Sequence, residues 1–450
     1  MSEMSRGGPS RRSLLASGAA AVGLGVMGGG SLGIRPAFAA VDWKRHAGTS
    51  LEVNLIKGPR GDLLHRSAAE FTALTGIKVS SEVIPEQQQR QKIVIELTSG
   101  RPSFDVVHLS YHVQKRQFDK AGWLADLTGF MKDPALTEPS LKEADFSSAG
   151  LLYAKTPNGE MRSLPLSVDY FILYWNKELF QKKNVAFPTT FDEMMRAAET
   201  LTDPKAGTYG FVGRGLRNAN MALWGAFFLA YGGRFLDDKG NLLIDGPEAV
   251  EATRLYQRLL TKTAPPGVVG FNWMESMAAF TQGRAAMWLD GVGWAPPLED
   301  PNASRVVGKV GYAVVPKGPA DHAAATYGDG IGVAAASTKK EAGYLYCQWA
   351  VSKLMGARLL QAGGGVPFRD SILGDAEVQQ GVKMPREWLD SAIGSAKISK
   401  LGLPVVVPVA EFRDIVGSAV TATLSGADPA AELKKAAEQY RPILERSEKA

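Results

Sequence analysis

The sequence predicts an α/β fold of two compact lobes joined by crossing segments. Three observations carry this prediction. Residues 50–110 alternate strand and helix patterns, which favours a parallel sheet with helices on both faces. A long apolar strand pattern then begins near residue 164. After it, helix patterns outnumber strand patterns and no low-complexity linker intervenes, so the chain does not read as separate domains on a string.

Residues 50–110 contain three strand patterns separated by two helix patterns. SLEVNLI is followed by the amphipathic helix pattern GDLLHRSAAEFTALTG, IKVSSEVI by EQQQRQKIVIELTSG, and FDVVHLS is apolar enough to be a central strand. Ligands of such sheets bind at the carboxyl ends of the strands. A set of polar residues, which includes one tyrosine, follows those ends: Lys57, Arg60, Glu86, Tyr111 and His112.

The remainder of the chain is mostly helical. DYFILYWN is a strand pattern, and FPTTFDEMMRAAETL is a helix with a capping box formed by Thr190 and Glu193. Two further strand patterns, GYAVVP and GDGIGVAA, precede a helix that holds Cys347, whose thiol we expect to be buried and inert. The other helix patterns are ANMALWGAFFLAYGG, GPEAVEATRLYQRLLTK, MESMAAFTQGRAAMW, LPVVVPVAEFRDIVGSAVTATLSG and DPAAELKKAAEQYRPILERSEK.

Residues 1–39 are predicted to be an export signal rather than part of the fold. Paired arginines, Arg11 and Arg12, precede a Gly/Ala-rich apolar stretch and the small-residue site Ala37-Phe38-Ala39, so we expect cleavage near Ala39-Ala40. The paired arginines are similar to a twin-arginine (Tat) signal. Residues 1–39 contain four basic residues and one acidic residue, so their removal takes the net charge of the chain from +5 to about +2. A charge this small gives no support for nucleic-acid binding. We expect a soluble, monomeric periplasmic protein.

Four stretches in order resemble the maltose-binding-protein-like solute-binding proteins of ABC importers. LPLSVDYFILYWNKELF is similar to the crossover segment of that family, and FTQGRAAMWLDGVGW to its F-x-x-G-x-A-A-M stretch. YAVVPKGPA and GDGIGVAAASTKKEAGYLYCQWAVS resemble its strand, Pro-x-Gly-Pro turn and return helix. The resemblance runs from about residue 50 to the end.

The resemblance implies a two-lobe periplasmic-binding-protein fold (type II), with hinge-linked lobes and a ligand cleft between them. It implies an N-terminal lobe of residues 40–166 plus 327–372 and a C-terminal lobe of residues 167–326 plus 373–450. It further implies that closure around the ligand presents the protein to the permease subunits of an ABC transporter.

Asp169 stands inside an otherwise apolar strand pattern. Burying a lone carboxylate costs several kcal/mol unless it is paired or hydrogen-bonded. The family places a cleft-facing acidic residue just past the crossover, so the resemblance implies that ligand hydroxyls and a basic neighbour compensate Asp169. The alternative is a buried ion pair at the lobe junction with no role in binding.

Two tryptophans and an asparagine are candidate walls of the cleft. Trp224 lies near a position where the family keeps a cleft aromatic, and Asn220 lies one turn before it. Trp294 follows two glycines and precedes two prolines, in a loop that suits a binding wall. Ring faces pack against the C–H surfaces of sugars. For both tryptophans the alternative is packing in the core.

Asp329 and Arg413 complete the predicted set, with His112 as a further hydrogen-bonding group. Asp329 lies in Gly-Asp-Gly, which would let the backbone approach a ligand closely, unless it caps a turn. Arg413 falls near a cleft position of the family, where its five-donor fork favours a small, hydroxyl-dense ligand. It could also pair with Asp169 or Asp329, or lie in a surface ion pair. The four-residue spacing of His108 and His112 is a weak metal signal, because no further ligand completes a set.

The predicted function is capture of a small carbohydrate, a monosaccharide or sugar alcohol, for an ABC importer. A larger saccharide or a non-carbohydrate solute on the same fold is the alternative. An exported carbohydrate-active enzyme would need two carboxylates at a scissile bond, for which Asp169, Glu86 and Asp329 are available. No G-x-S-x-G elbow, H-E-x-x-H or P-loop motif appears in the sequence, and neither a cofactor nor a metal is expected.

Overall fold

Nine strands are hydrogen-bonded into one sheet within residues 41–449, the part of the chain that the computed structural model describes. The central order is β2-β1-β3-β7-β4-β5, with β6 and β8 also paired to β4 and β9 paired to β7. The strands are β1 Ser50–Ile56, β2 Lys78–Ile84, β3 Val106–Ser110, β4 Leu164–Asn176, β5 Met287–Gly291, β6 Val310–Val314, β7 Ala324–Val333, β8 Val366–Pro367 and β9 Ser399–Leu401.

Helices surround this sheet. They are α1 Pro59–Thr75, α2 Glu86–Thr98, α3 Tyr111–Lys120, α4 Thr128–Lys132, α5 Ser148–Ala154, α6 Lys177–Lys183, α7 Phe191–Leu201, α8 Asn220–Ala230, α9 Pro247–Lys262, α10 Trp273–Thr281, α11 Lys340–Ala350, α12 Lys353–Gln361, α13 Asp370–Leu373, α14 Ala376–Gln380, α15 Arg386–Lys397, α16 Val409–Thr423 and α17 Pro429–Lys449.

The alternating elements predicted for residues 50–110 form the parallel part of the sheet. β1 pairs with β2 on one side and with β3 on the other, both in parallel. The helix α1 starts almost directly after β1, because Gly61 packs against the end of that strand. A Cβ atom at Gly61 would lie only 2.0 Å from the carbonyl oxygen of Ile56. This close approach places the first turn of α1 beside the carboxyl end of β1.

The long strand β4 takes part in two sets of strand pairs. From Leu164 to Tyr170 it pairs with β7, and from Phe171 onward it pairs with β5 and β6. β7 returns antiparallel between β3 and β4. Buried apolar residues form two clusters, one including β1, β3 and α11, the other including α7, α8, α9 and α16. The crossing region and the lobe boundaries stay predictions.

Two predicted helices are wrong at one end. The helix predicted over residues 274–288 ends at Thr281, because Gly283 adopts a left-handed φ of 72°, and the following residues enter β5. The helix predicted from residue 403 begins only at Val409, after two prolines, Pro404 and Pro408, the latter at the helix N-cap. The capping box of α7 and the burial of Cys347 are as predicted.

The described residues contain no helix long and apolar enough to cross a membrane. The predicted export signal, residues 1–39, and its cleavage site at Ala39-Ala40 lie outside them.

Candidate ligand-binding cleft

Polar and aromatic side chains from both parts of the sheet meet at a cavity of about 550 Å³, called the cleft below. Its walls come from the end of β1, the middle of β3, β4 and β7, the first turns of α1, α2 and α3, and the segments that hold Trp273, Trp294 and Arg413. Seven of the ten predicted binding residues line it: Lys57, Glu86, His112, Asp169, Trp294, Asp329 and Arg413.

Arg60, in the first turn of α1, bridges the two aspartates of the cleft. Its guanidinium lies 2.6 Å from Asp169 Oδ2 and 3.0 Å from Asp329 Oδ2. Although burial acts against the charged form, these two carboxylates raise the pKa of Arg60 above its ordinary value. Arg60 is therefore the basic partner that Asp169 requires. The prediction that Arg413 could fill this role is wrong.

Asp329 is held from a second side by His108. The Nδ1 atom of His108 accepts the backbone N–H of Ile56 at 3.3 Å, so the ring proton is on Nε2, which lies 3.3 Å from Asp329 Oδ2. Burial acts to raise the pKa of Asp329, but Arg60 and His108 outweigh it and hold that pKa well below its ordinary value. Asp329 is thus a carboxylate at any physiological pH.

Asp169 keeps one oxygen without a protein partner. Its Oδ2 contacts Arg60, while Oδ1 is buried and has no hydrogen-bond partner among the described residues. Two glycines pack against this oxygen. A Cβ atom would lie 3.3 Å from Asp169 Oδ1 if built on Gly291 and 3.1 Å if built on Gly293. A carboxylate oxygen without a protein donor is an acceptor for a ligand hydroxyl.

Three further arginines line the cleft, and two of them contact carboxylates. Arg90 forms an ion pair with Glu86 and donates to Ser110 Oγ at 2.9 Å. Arg214 donates Nε to Asp290 Oδ2 at 2.8 Å and forms a second bond to the same carboxylate. The third, Arg413, contacts no carboxylate among the described residues.

Arg413 is buried, with 7% of its surface exposed, and its Nε has no hydrogen-bond partner within residues 41–449. Burial and the nearby positive charge of Arg90 lower the pKa of Arg413 to about 9, although Glu86 acts in the opposite direction. The alternative of a surface ion pair is wrong, because the side chain is buried in the wall of the cleft.

His112 is a neutral ring in the cleft. Burial and the charge of Arg90 lower its pKa to about 3. Its Nδ1 lies 3.3 Å from the carbonyl oxygen of Gly328, which can only accept, so the ring proton is on Nδ1 and Nε2 is an acceptor. His108 and His112 therefore have separate hydrogen-bonding partners. The described residues contain no group of three or more side chains suited to hold a metal ion.

An aromatic pair forms one wall of the cleft. Trp294 stacks on Trp273 with ring centroids 4.1 Å apart and an interplanar angle of 6°. The fully buried Asp290 accepts the indole N–H of Trp294 at 3.1 Å and also binds Arg214. One carboxylate thereby orients both an aromatic ring and a guanidinium of the cleft.

The structure places the other three predicted binding residues in the core. Tyr111 donates to or accepts from Ser163 Oγ at 2.9 Å and stacks on Tyr153. Asn220 donates to the carbonyl oxygen of Gly417 at 2.9 Å. Trp224 donates to Thr253 Oγ1 at 2.7 Å, in a helix whose every residue is buried. A helix that is apolar on all sides is enclosed by protein, which explains the position of Trp224.

The glycines around Asp329 serve internal packing. A Cβ atom on Gly330 would lie 2.1 Å from the ring of Tyr111, and one on Gly328 would lie 2.5 Å from the ring of Phe368. The two glycines thus make room for core aromatic rings. The prediction that they let the backbone approach a ligand has no support in this geometry, although the Asp329 side chain does line the cleft.

Residues 58–353 match the family model described as bacterial extracellular solute-binding protein. This match spans well over half of the chain. The chain belongs to this family.

Individual relatives agree with this membership. The chain is 27% identical over 342 residues to a probable amino-acid ABC transporter periplasmic-binding protein of Sinorhizobium fredii, covering 74% of this chain and 76% of that protein. It is 28% identical over 281 residues to a mannitol-binding protein of Pseudomonas aeruginosa, covering 61% of this chain and 62% of that protein. A crystal structure of an ABC transporter solute-binding protein from Agrobacterium radiobacter K84, in complex with ribitol, shares 29% identity and a TM-score of 0.79, covering 88% of this chain and 99% of that one.

These likenesses confirm the predicted periplasmic-binding-protein fold.

Four residues that line the cleft of this solute-binding protein were not among the predicted binding residues. Arg60 stood in the polar set after β1 but was not carried into the predicted binding residues. Arg90 follows Glu86 by four residues on α2, a spacing that signals an ion pair. Nothing in the local sequence around Arg214 or Trp273 signals their place in the cleft.

Proposed function

We propose that the chain captures a small carbohydrate, a monosaccharide or sugar alcohol, in the cleft and delivers it to the permease subunits of an ABC importer. The observation that carries the proposal is the pairing of an aromatic wall with an ionised acceptor. Trp273 and Trp294 offer stacked rings, and Asp169 offers a buried oxygen without a partner.

This combination suits the chemistry of a polyhydroxylated ligand. Each hydroxyl both donates and accepts, so acceptors such as Asp169 Oδ1 and donors such as Arg413 can share one molecule. The C–H face of the carbon chain or ring packs against an indole. Mannitol, in the name of the Pseudomonas relative, and ribitol, in the Agrobacterium crystal structure, belong to the same chemical class.

The proposed working cycle is hinge closure in the periplasm. The ligand would bridge the N-terminal lobe (40–166 plus 327–372) and the C-terminal lobe (167–326 plus 373–450), and differential affinity would shift an open–closed equilibrium. The protein would act as a monomer after residues 1–39 direct export, without nucleic acid, cofactor or metal.

Thermal unfolding of the purified protein against a ligand panel tests the proposal. The panel holds sugar alcohols, monosaccharides, disaccharides, polyamines and amino acids. A ligand at 100 times its Kd adds about 2.7 kcal/mol, which for a chain of this size raises Tm by about 3 °C. We expect a shift with sugar alcohols or monosaccharides. A shift with amino acids alone would favour the function in the name of the Sinorhizobium relative and would overturn the carbohydrate assignment.

We further propose that the protein is not a glycosidase. A general acid in such enzymes needs a raised pKa. Burial acts to raise the pKa of Glu86 and of Asp329, but Arg90 lowers the former and Arg60 the latter below their ordinary values. Incubation of the protein with chromogenic glycosides checks this, and steady release of the chromophore at a rate proportional to protein would contradict it.

A further inference from the structure

The cleft contains one buried guanidinium whose charge has no counter-ion in contact. Arg60 touches Asp169 and Asp329, Arg90 touches Glu86, and Arg214 touches Asp290. Arg413 touches none of these carboxylates and has a buried Nε without any partner among the described residues. A buried charge without a counter-ion is costly, and the cost is recovered when an anion arrives.

The surroundings of Arg413 reinforce this need. Arg413 shares the cleft with Arg90 and Arg214, and both of these positive charges lower the pKa of Arg413. The neighbouring His112 is neutral and contributes no charge of its own. The three arginines face two carboxylates, Glu86 and Asp290, which are already held in ion pairs. Among the described residues, Arg413 is therefore the one arginine of these three that has no carboxylate in contact.

We infer that the preferred ligand is a hydroxylated monocarboxylate, an aldonate or uronate, whose carboxylate binds Arg413 while its hydroxyls reach Asp169 on the opposite side. A planar guanidinium fork matches a carboxylate with two parallel hydrogen bonds. The inference rests on the proposed function and narrows it to the acidic members of the small-carbohydrate class.

Two other anions fit less well. A phosphate ester carries close to two charges at neutral pH, whereas one buried guanidinium lacks a partner. An amino acid would bring an ammonium group that needs a carboxylate. The carboxylates Asp169 and Asp329 both already contact Arg60, and Glu86 contacts Arg90, so an ammonium group would have to share a carboxylate with an arginine.

Calorimetric titration with matched ligand pairs tests the inference on the unmodified protein. The pairs are D-ribonate with ribitol, D-mannonate with D-mannitol, and D-galacturonate with D-galactose. Each pair differs in one terminal group, a carboxylate against a hydroxymethyl. A charge-assisted hydrogen bond predicts that the acid of at least one pair binds about 10- to 100-fold more tightly than its neutral partner.

Variants at Arg413 locate the effect. Arg413→Gln should bring the affinity for the acid down to that for the neutral partner, and Arg413→Lys should keep part of the preference because it keeps the charge. Arg386→Gln is the control, since Arg386 is 67% exposed on α15 and pairs with Asp390. A preference for the acid that survives in Arg413→Gln would overturn the assignment to this residue.

The outcomes separate the two proposals. If neutral members bind as tightly as the acids, or more tightly, the inference fails while the proposed function stands. If no member of any pair binds, the inference fails, and the thermal panel decides separately whether the proposed function stands. If Arg413→Gln does not fold, the ligand pairs on the unmodified protein still decide between the charged and the neutral class.

Discussion

Arg60→Gln is the substitution that tests the electrostatic design of the cleft most directly. It removes the guanidinium that contacts both Asp169 and Asp329 and leaves a shorter, uncharged polar side chain. Asp169 then loses its ion pair, and Asp329 keeps only the contact with His108 at 3.3 Å. We expect a less stable protein with an altered pH dependence of stability.

The structure sets the expected size of the effect. Removing one partner of a buried ion pair costs about 3–5 kcal/mol. The three side chains are 11–16% exposed, and His108 still faces Asp329, so the lower end, about 3 kcal/mol at pH 7, is expected. For about 410 residues the entropy of unfolding is about 0.9 kcal/mol/K, so the Tm falls by about 3.5 °C.

The pH dependence has a definite sign. In the unmodified protein the pKa of Asp329 lies below its ordinary value, so its contribution to stability is present above about pH 4 and is lost as the pH falls through the lowered pKa. Without Arg60, burial favours the protonated acid. The deficit of Arg60→Gln should therefore be largest at pH 7 and shrink toward pH 4.

Thermal unfolding followed by tryptophan fluorescence at pH 7, 5.5 and 4 measures both the fall in Tm and its dependence on pH. Arg60→Lys, which keeps the charge but not the fork, should lie between the two proteins. Arg386→Gln breaks an exposed ion pair and should leave Tm nearly unchanged. The reasoning is refuted if Arg60→Gln matches that control at pH 7, or if its deficit grows as the pH falls.

Three further predictions concern single side chains. Trp294→Ala should weaken a ligand identified by the thermal panel at least about tenfold, because it removes ring surface from the cleft, whereas Trp224→Phe should lower stability and leave the calorimetric Kd unchanged. Burial and Arg90 lower the pKa of His112 to about 3, so the folded state resists a proton that the unfolded chain accepts near pH 6.5. The unmodified protein therefore loses stability as the pH falls below 6.5, a loss that His112→Gln should not share. The Tm of His112→Gln minus that of the unmodified protein should increase as the pH is lowered from 7 to 5, and a Tm difference that stays constant would contradict this. Cys347 is buried and burial raises its pKa, so a thiol reagent should label it only when denaturant unfolds the chain, and rapid labelling of the native protein would show that α11 opens.

Local patterns predicted those parts of the fold that depend on local physics. The alternation of strands and helices over residues 50–110 and the capping box of Thr190 and Glu193 each depend on residues close in sequence. The two helix predictions were wrong at one end because they followed the apolar composition and did not take account of helix-breaking glycine and proline. Gly283 ends α10 before β5, and Pro408 delays the start of α16.

The cleft was harder to predict because its contacts join distant parts of the chain. Asp169 could be recognised as a carboxylate in need of a partner, but its partner, Arg60, lies on another element more than a hundred residues earlier. Trp224 and Trp294 are both tryptophans in apolar surroundings. Only the packing of α8 on every side distinguishes the core ring from the one that lines the cleft.

Asp169 shows why an ion pair and a ligand contact are not competing explanations for a buried carboxylate. A carboxylate has two oxygens and about four acceptor positions. Arg60 takes Oδ2 and offsets the cost of burying the charge, while Oδ1 packs against Gly291 and Gly293 and has no hydrogen-bond partner among the described residues. Because Arg60 is itself held by Asp329, the acceptor is fixed before any ligand arrives, and binding does not have to order it. Arg413 is the opposite case, because Asp169 has a counter-ion in contact, Arg60, whereas Arg413 has none among the described residues. The two sides of the cleft therefore suit different groups of the inferred ligand, a hydroxyl at Asp169 and a negatively charged group at Arg413.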